Sequence, residues 1–258
     1  MSEEFEKLVN IVKTLRSENG CPWDREQNLF SIKNLFIEEA FELLDALDRE
    51  DIPNIREELG DVLFHTVFHS VMAEDEKRFN IDEVLAEVSA KLVRRHPHVF
   101  GTVSVSDSDE VLANWDEIKK EEKKAKQAES ILSDIPAAYP SIMRALKIQE
   151  KVRKVGFDWE KPEDCMAKLD EEVEEFKEAF DDGDRDRMEH EIGDVLFSVI
   201  NMSRFCKVNP DEALRKANDR FIKRFKHIEK QLKLNGRSCK EATLDEMENL
   251  WVQAKGLE

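Results

Sequence analysis

The chain has 258 residues, with 58 acidic against 40 basic side chains and a formal charge of −18, while 38% of its residues are charged and only 8 are glycine and 7 proline. So negative a chain is not a general binder of nucleic-acid backbones, because that affinity comes from clustered Lys and Arg displacing counterions. No apolar run reaches membrane-spanning length and no leader-like segment opens the sequence, so a soluble, cytoplasmic protein with no membrane contact is expected.

The composition favours long helices, and no set of alternating apolar strands stands out, so the expected fold is all-α. In chain order, Cys21-Pro22-Trp23-Asp24 precedes a segment carrying Glu38-Glu39-Ala40-Phe41-Glu42. From Leu59 onward, Val62, Leu63, Val67 and Val71 follow a 3.6-residue period and are expected to pack inward. Pro97, flanked by His96 and His98, is read as a helix stop with a structural turn. A lysine- and glutamate-rich stretch after Lys119 gives way to Ser130-Ile131-Leu132-Ser133-Asp134-Ile135-Pro136, which reads as a connector. Two domains are expected, 1–128 and 129–258. In the second, Asn209-Pro210 reads as a cap with proline at the first helical position, and Thr243 with Glu246 as a capping box. The four cysteines are scattered without a C-x-x-C pair and read as reduced thiols with no zinc site.

Self-comparison shows an internal duplication. Glu38–Glu42 recurs as Glu171-Glu172-Val173-Glu174-Glu175, and Glu58-Leu59-Gly60-Asp61-Val62-Leu63-Phe64 as Glu191-Ile192-Gly193-Asp194-Val195-Leu196-Phe197, always 133 residues apart. Over residues 38–64, twelve of 27 positions are identical at that offset without a gap. Arg95 then aligns with Arg224, and Trp115 and Lys119 with Trp251 and Lys255, after small insertions. The architecture expected is two related helical-bundle halves.

Each half carries E-E-x-x-E and, 15 residues on, E-x-x-D. On a helix Glu171, Glu172 and Glu175 fall at roughly 0°, 100° and 40°, one third of the circumference. Glu191 and Asp194 share a face of the next helix, and Asp182-Gly183-Asp184 suits a turn between the two. Carboxylates so gathered repel one another unless a cation compensates them. Oxygen ligands without His or Cys favour a hard ion, Mg²⁺ before Mn²⁺, of the kind held jointly by carboxylates and substrate phosphates. One isolated E-E-x-x-E is a solvated acidic helix face; two copies with the same downstream partner are a site. A di-iron bundle would need Glu-x-x-His from two helices, and none of the six histidines has a glutamate three residues before it. A non-catalytic interaction protein would need no convergent carboxylates at all. Gly60 and Gly193 interrupt helices where glycine is costly, which points to close helix approach or access to the metal.

With Arg94-Arg95-His96-Pro97-His98-Val99-Phe100 and Gly156-Phe157-Asp158-Trp159 around these motifs, nearly the whole chain resembles the MazG family. That resemblance implies a homodimeric all-α enzyme that converts nucleoside triphosphates, ATP among them, to monophosphate and pyrophosphate with Mg²⁺. It implies metal ligands Glu172, Glu175, Glu191 and Asp194, and nucleotide contacts from Lys168, Glu171, Arg187, Arg220, Arg224 and Trp251, with Lys255 nearby. His190 departs from the family pattern, which carries an acidic residue there, and is counted with the nucleotide contacts. Glu171, on the ligand face without being a ligand, is the candidate to orient or deprotonate the attacking water. Glu39, Glu42, Glu58 and Asp61 form the weaker second candidate site. Lys168 aligns with Leu35 and Arg187 with Asn54, so catalysis is expected in the C-terminal half. Base and sugar preference, including restriction to dUTP, depend on a pocket that the motifs do not describe.

Overall fold

The computed structural model describes residues 2–124 and 130–257, so the expected boundary between 128 and 129 lies outside the described residues. The chain divides into two compact units, Met1–Ala125 and Lys126–Glu258. No strand occurs among the described residues. Among the described residues, no helix is long and apolar enough to cross a membrane.

The first unit contains α1 (Glu3–Arg16), α2 (Pro22–Glu26), α3 (Lys33–Asp48), α4 (Ile52–Asp75), α5 (Ile81–Arg95), α6 (Pro97–Phe100) and α7 (Ser108–Lys124). Helix α4 packs along α3 and also against α1 and α5. Its core joins Val12, Ile32, Val67, Phe68, Val71 and Met72, with Phe68 only 1% exposed. Val67 and Val71 therefore face inward as expected, but Leu63 does not, being 42% exposed. The helix has turned far enough by that position that Phe64 packs on the core instead. The His96-Pro97-His98 segment is the expected turn, with His96 capping the end of α5 and Pro97 opening α6.

The second unit contains α8 (Ser141–Arg153), α9 (Pro162–Asp182), α10 (Arg185–Phe205), α11 (Pro210–Leu234) and α12 (Leu244–Lys255), with a 3-10 turn at Cys239–Glu241. Both sequence caps form: the Asn209 side chain accepts from the N–H groups of Asp211 and Glu212, and Thr243 and Glu246 close a capping box. Arg237 adds a second anchor at α12, reaching Glu246 at 2.7 Å and holding its carboxyl at about 2.

The hairpin between α9 and α10 positions everything that follows. Gly183 ends α9 in the left-handed region at φ 69°, and its N–H returns to the carbonyls of Ala179 and Phe180. Asp184 at once caps α10, its carboxylate accepting from the N–H groups of Asp186 and Arg187. A link this short brings α10 back along α9, with which it makes the most extensive packing in the unit. In the first unit Asp51 caps α4 in the same way, and Glu50 takes the left-handed position at φ 54°, where a Cβ is unfavourable.

The two helix-interior glycines do not mark close helix approach. A Cβ built at Gly60 or Gly193 meets nothing within 4 Å. Gly193→Ala is therefore expected to stabilise the isolated chain by about 1 kcal/mol through helix propensity, measured by urea unfolding at low protein concentration; a loss of stability would show that this face is packed.

Candidate active site

The hairpin delivers the carboxylates. On α9, Glu172 is 6% exposed. Ligand oxygens of Glu172, Glu175 and Glu191 lie within 4.8 Å of one another, so two helices converge on one point. Asp194, one turn beyond Glu191 on α10, joins a second group with Glu191 and His190 rather than the first, and His190 Nδ1 stands 3.1 Å from its carboxylate. The first unit repeats the arrangement on α3 and α4. Glu39, Glu58 and Asp61 gather within the same limit, while Glu42 stays outside that set but close enough to raise the pKa of both glutamates.

Electrostatics separates the two copies. Lys168, one turn before the glutamates on α9, donates to Glu171 Oε1 at 2.7 Å and reaches Glu172 Oε1 at 2.8 Å. These two carboxylates hold its ammonium group well above the usual lysine range. Glu175 is still pushed up, first by its hydrogen bond with Glu172, then by burial and the charges of Glu172 and Glu191. In the first unit Leu35 stands where Lys168 stands, and His65 Nε2, 3.6 Å from Glu39, is the neighbouring nitrogen. Burial lowers the pKa of that imidazole, so it is not a permanent cation like lysine. Glu39 and Glu58 are both raised, burial leading in each case.

A hard divalent cation fits this donor set. It consists of carboxylates from two helices with no sulfur and a single peripheral imidazole, and hard divalent ions take oxygen ligands of this kind.

The remaining expected contacts do not all gather here. Glu171 lies beside the cluster through Lys168, its side chain 57% exposed. Arg187, in the first turn of α10, pairs with Asp182 at 2.9 Å and lies 3.9 Å from Glu178. Arg224 on α11 stacks over Trp251 of α12 at 5.4 Å, with Phe221 on the same ring. Arg220 belongs to α11 and Lys255 to the last turn of α12. The cavity beside Arg224 is lined by lysines, His227 and Ala254, and shares no residue with the one that opens on the carboxylates.

That second cavity, of about 400 Å³, is what the motifs failed to reveal. It runs from Lys168, Glu172 and Asp194 to the Gly156-Phe157-Asp158-Trp159 loop, Gln149 of α8 and Asn201 of α10. Arg204 locks the loop to α10, donating to Asp158 at 2.9 Å and to Asn201 Oδ1 at 2.8 Å. The sequence did hold a signal. At the 133-residue offset Ser198, Asn201 and Arg204 stand opposite His65, Phe68 and Val71, polar side chains on α10 where α4 has two buried apolar ones.

Fold and site together define a duplicated all-α protein whose paired helices present acidic clusters of metal-binding character. The MazG nucleotide pyrophosphohydrolase domain matches residues 27–100 and 160–229, one copy in each unit. The chain belongs to that family. It is 42% identical over 255 residues to a nucleoside triphosphate pyrophosphohydrolase of Escherichia coli strain K12, covering 98% of this chain and 97% of the relative. It is also 41% identical over 252 residues to the nucleoside triphosphate pyrophosphohydrolase/pyrophosphatase MazG of Thermotoga maritima, covering 98% and 96%.

The raised carboxyl of Glu175 has a definite sign in stability. The folded state holds that proton to higher pH than the unfolded chain, so the favourable contribution is present below the ordinary value of 4.5 and is lost as pH rises through the raised folded value. Glu175→Gln should therefore be more resistant to urea than the parent protein at pH 7 in EDTA, and the two should converge near pH 4. Equal resistance at both pH values would show that the clustered charges do not strain the fold.

Proposed function

We propose that the chain hydrolyses ribo- and deoxynucleoside triphosphates to monophosphate and pyrophosphate with Mg²⁺, in its C-terminal unit, as a means of controlling or cleansing the nucleotide pool. The observation that carries this reading is the convergence of Glu172, Glu175 and Glu191 with Lys168 at 2.8 Å, a cation that the first unit replaces by leucine. The names of the full-length relatives from Escherichia coli and Thermotoga maritima support it. The four free thiols suit a reducing compartment, and we place the protein in the cytoplasm.

Glu172, Glu175, Glu191 and Asp194 would hold the metal, with Mn²⁺ as a substitute. When bound, such an ion supplies positive charge for the phosphate oxygens and neutralises charge that develops on them. Lys168, already held among the glutamates, is placed to exchange a carboxylate for a phosphate oxygen and so to orient the triphosphate. Glu171 shares Lys168 and has one side open to solvent, which fits a group that takes the proton of the attacking water. Attack on the α-phosphorus forms the new P–O bond, and pyrophosphate leaves with the electron pair of the broken one. His190, bonded to Asp194, steadies that carboxylate. Arg187, Arg220, Arg224, Trp251 and Lys255 remain the family's nucleotide contacts; their separation from the cavity within one chain fits a site completed by a second chain.

A homodimer is part of this proposal. Ile192, Leu196 and Val199, on successive turns of α10, are 48%, 59% and 45% exposed, an apolar stripe that a lone chain leaves in water. Light scattering on the eluting protein should give twice the mass of the chain, and Leu196→Lys should halve it.

The reaction is tested by incubating each ribo- and deoxynucleoside triphosphate with and without Mg²⁺ and separating the products. Monophosphate and pyrophosphate are expected only with metal. Glu172→Ala or Glu175→Ala should lower turnover on the order of a thousandfold or more, since several kcal/mol of charge stabilisation are removed. Glu39→Ala and Glu42→Ala should leave it near the parent rate; loss of turnover in those variants instead would move catalysis to the first unit, and diphosphate as product would refute the reaction.

A further inference from the structure

Acidic side chains outnumber basic ones by 58 to 40, so a group of cations without acidic partners is unexpected in this chain. The start of α11 follows that expectation. Arg215 stands 3.3 Å from Asp211, and Lys216 pairs with Glu212, each base four residues after its acid. Further along the same helix the pattern changes. Lys223, Lys226, His227 and Lys230 are spaced three or four residues apart and fall within roughly 100° of its circumference. Among the described residues no carboxylate pairs with any of the three lysines. Like charges at this spacing weaken a helix, so the arrangement is destabilising until an anion offsets it.

These four side chains line a cavity of about 260 Å³, which Ala254 and Leu257 at the end of α12 line from the other helix. His227 Nε2 is buried without a partner among the described residues. With its proton on that nitrogen the imidazole is a donor, like the three ammonium groups beside it, and a cavity lined by four donors suits a ligand rich in acceptors. The volume falls below that of ordinary ligand pockets, roughly 300 to 1,000 Å³, and leaves little room for a nucleoside. From Lys223 to Lys230 the helix rises about 10 Å. One phosphate is short for that span, whereas a chain of phosphoryl groups presents charged oxygens along it.

The first unit has no such cluster. With Arg95 aligned to Arg224, Pro97, His98 and Gly101 stand opposite Lys226, His227 and Lys230. Helix α5 ends at Arg95, while α11 runs on past Arg224 to Leu234. Arg94 and Arg95 are held by Glu122, at 2.7 and 2.6 Å. The shared helical frame therefore does not require the lysines, and their cavity shares no residue with the one at the carboxylates.

We propose that Lys226, His227 and Lys230, with Lys223 at the edge, form a binding site for a condensed inorganic phosphate, pyrophosphate or a longer chain, apart from the carboxylate centre. Arg224, stacked on Trp251, stays with the nucleotide contacts. Binding here needs no metal and no catalytic group, so the site goes beyond the hydrolytic reading and does not depend on it. Under that reading, the pyrophosphate released at the carboxylates is a molecule this site would take up.

Calorimetric titration of the full chain carrying Glu172→Ala and Glu175→Ala, in EDTA at low salt, removes the carboxylate centre and leaves α11 unchanged. Sodium pyrophosphate should bind saturably, and adding Lys226→Gln with Lys230→Gln should weaken it by roughly tenfold or more, as expected for two lost charge-assisted contacts. Lys33→Gln with Lys91→Gln removes the same charge from the first unit and should change the affinity by less than about twofold. Circular dichroism confirms folding in each case. Equal weakening by the two double variants would reduce the effect to net charge and overturn the site, as would the absence of saturable binding. A nucleoside triphosphate that binds far more tightly than pyrophosphate, and loses that advantage in Trp251→Ala, would assign the lysines to the nucleotide and overturn it as well. If pyrophosphate binds as expected but the parent protein hydrolyses no triphosphate, the site stands and the hydrolytic reading falls.

Discussion

Mutual repulsion among glutamates on two neighbouring helices is the constraint around which each unit is arranged. The Gly183-Asp184 link folds α10 back on α9, and Glu172, Glu175 and Glu191 then meet closely enough that Glu172 and Glu191 push up the pKa of Glu175. In the second unit Lys168 offsets part of that charge from within the same helix. In the first, Leu35 contributes none, and Glu39 and Glu58 are both raised. The family match in both units agrees with a shared frame.

Much of this was legible in the sequence because it is periodic. Helix starts at Asn209 and Thr243, the turn at Gly183 and the shared face of the glutamates depend on local chemistry that spacing alone reveals. What spacing could not reveal depends on which residues meet across helices. Leu63 follows the apolar period of its helix yet stays exposed, because its place at the edge of the buried arc is decided by packing. Gly60 and Gly193 point in the sequence to close helix approach or to access to the metal, and the open space beside them in the folded chain removes the first. Arg187 has the charge for a phosphate contact, but the nearby Asp182 and Glu178 take it within one chain. The setting of Gln149 could not be read from its sequence neighbours: Phe197, 48 residues away, takes its donor, and its oxygen has no partner among the described residues.

The duplication makes this second kind of information partly recoverable. Positions common to both copies, such as Glu172 with Glu39 and Asp194 with Asp61, mark what the frame requires. Positions that change polarity between buried sites, such as Asn201 with Phe68 and Arg204 with Val71, mark where one copy departs from the other. Comparing a chain with itself in this way needs no outside alignment, and the sites it singles out line the cavity.

The Arg204 guanidinium joins Asp158 in the loop to Asn201 on α10, and its side chain is only 9% exposed. One rigid, planar, permanently charged group thus braces two sides of an empty space. A molecule entering it would find walls already set at their separation, so little conformational entropy would be lost on seating it. The same bracing limits adaptability: a ligand slightly too wide would meet a strut instead of a yielding loop.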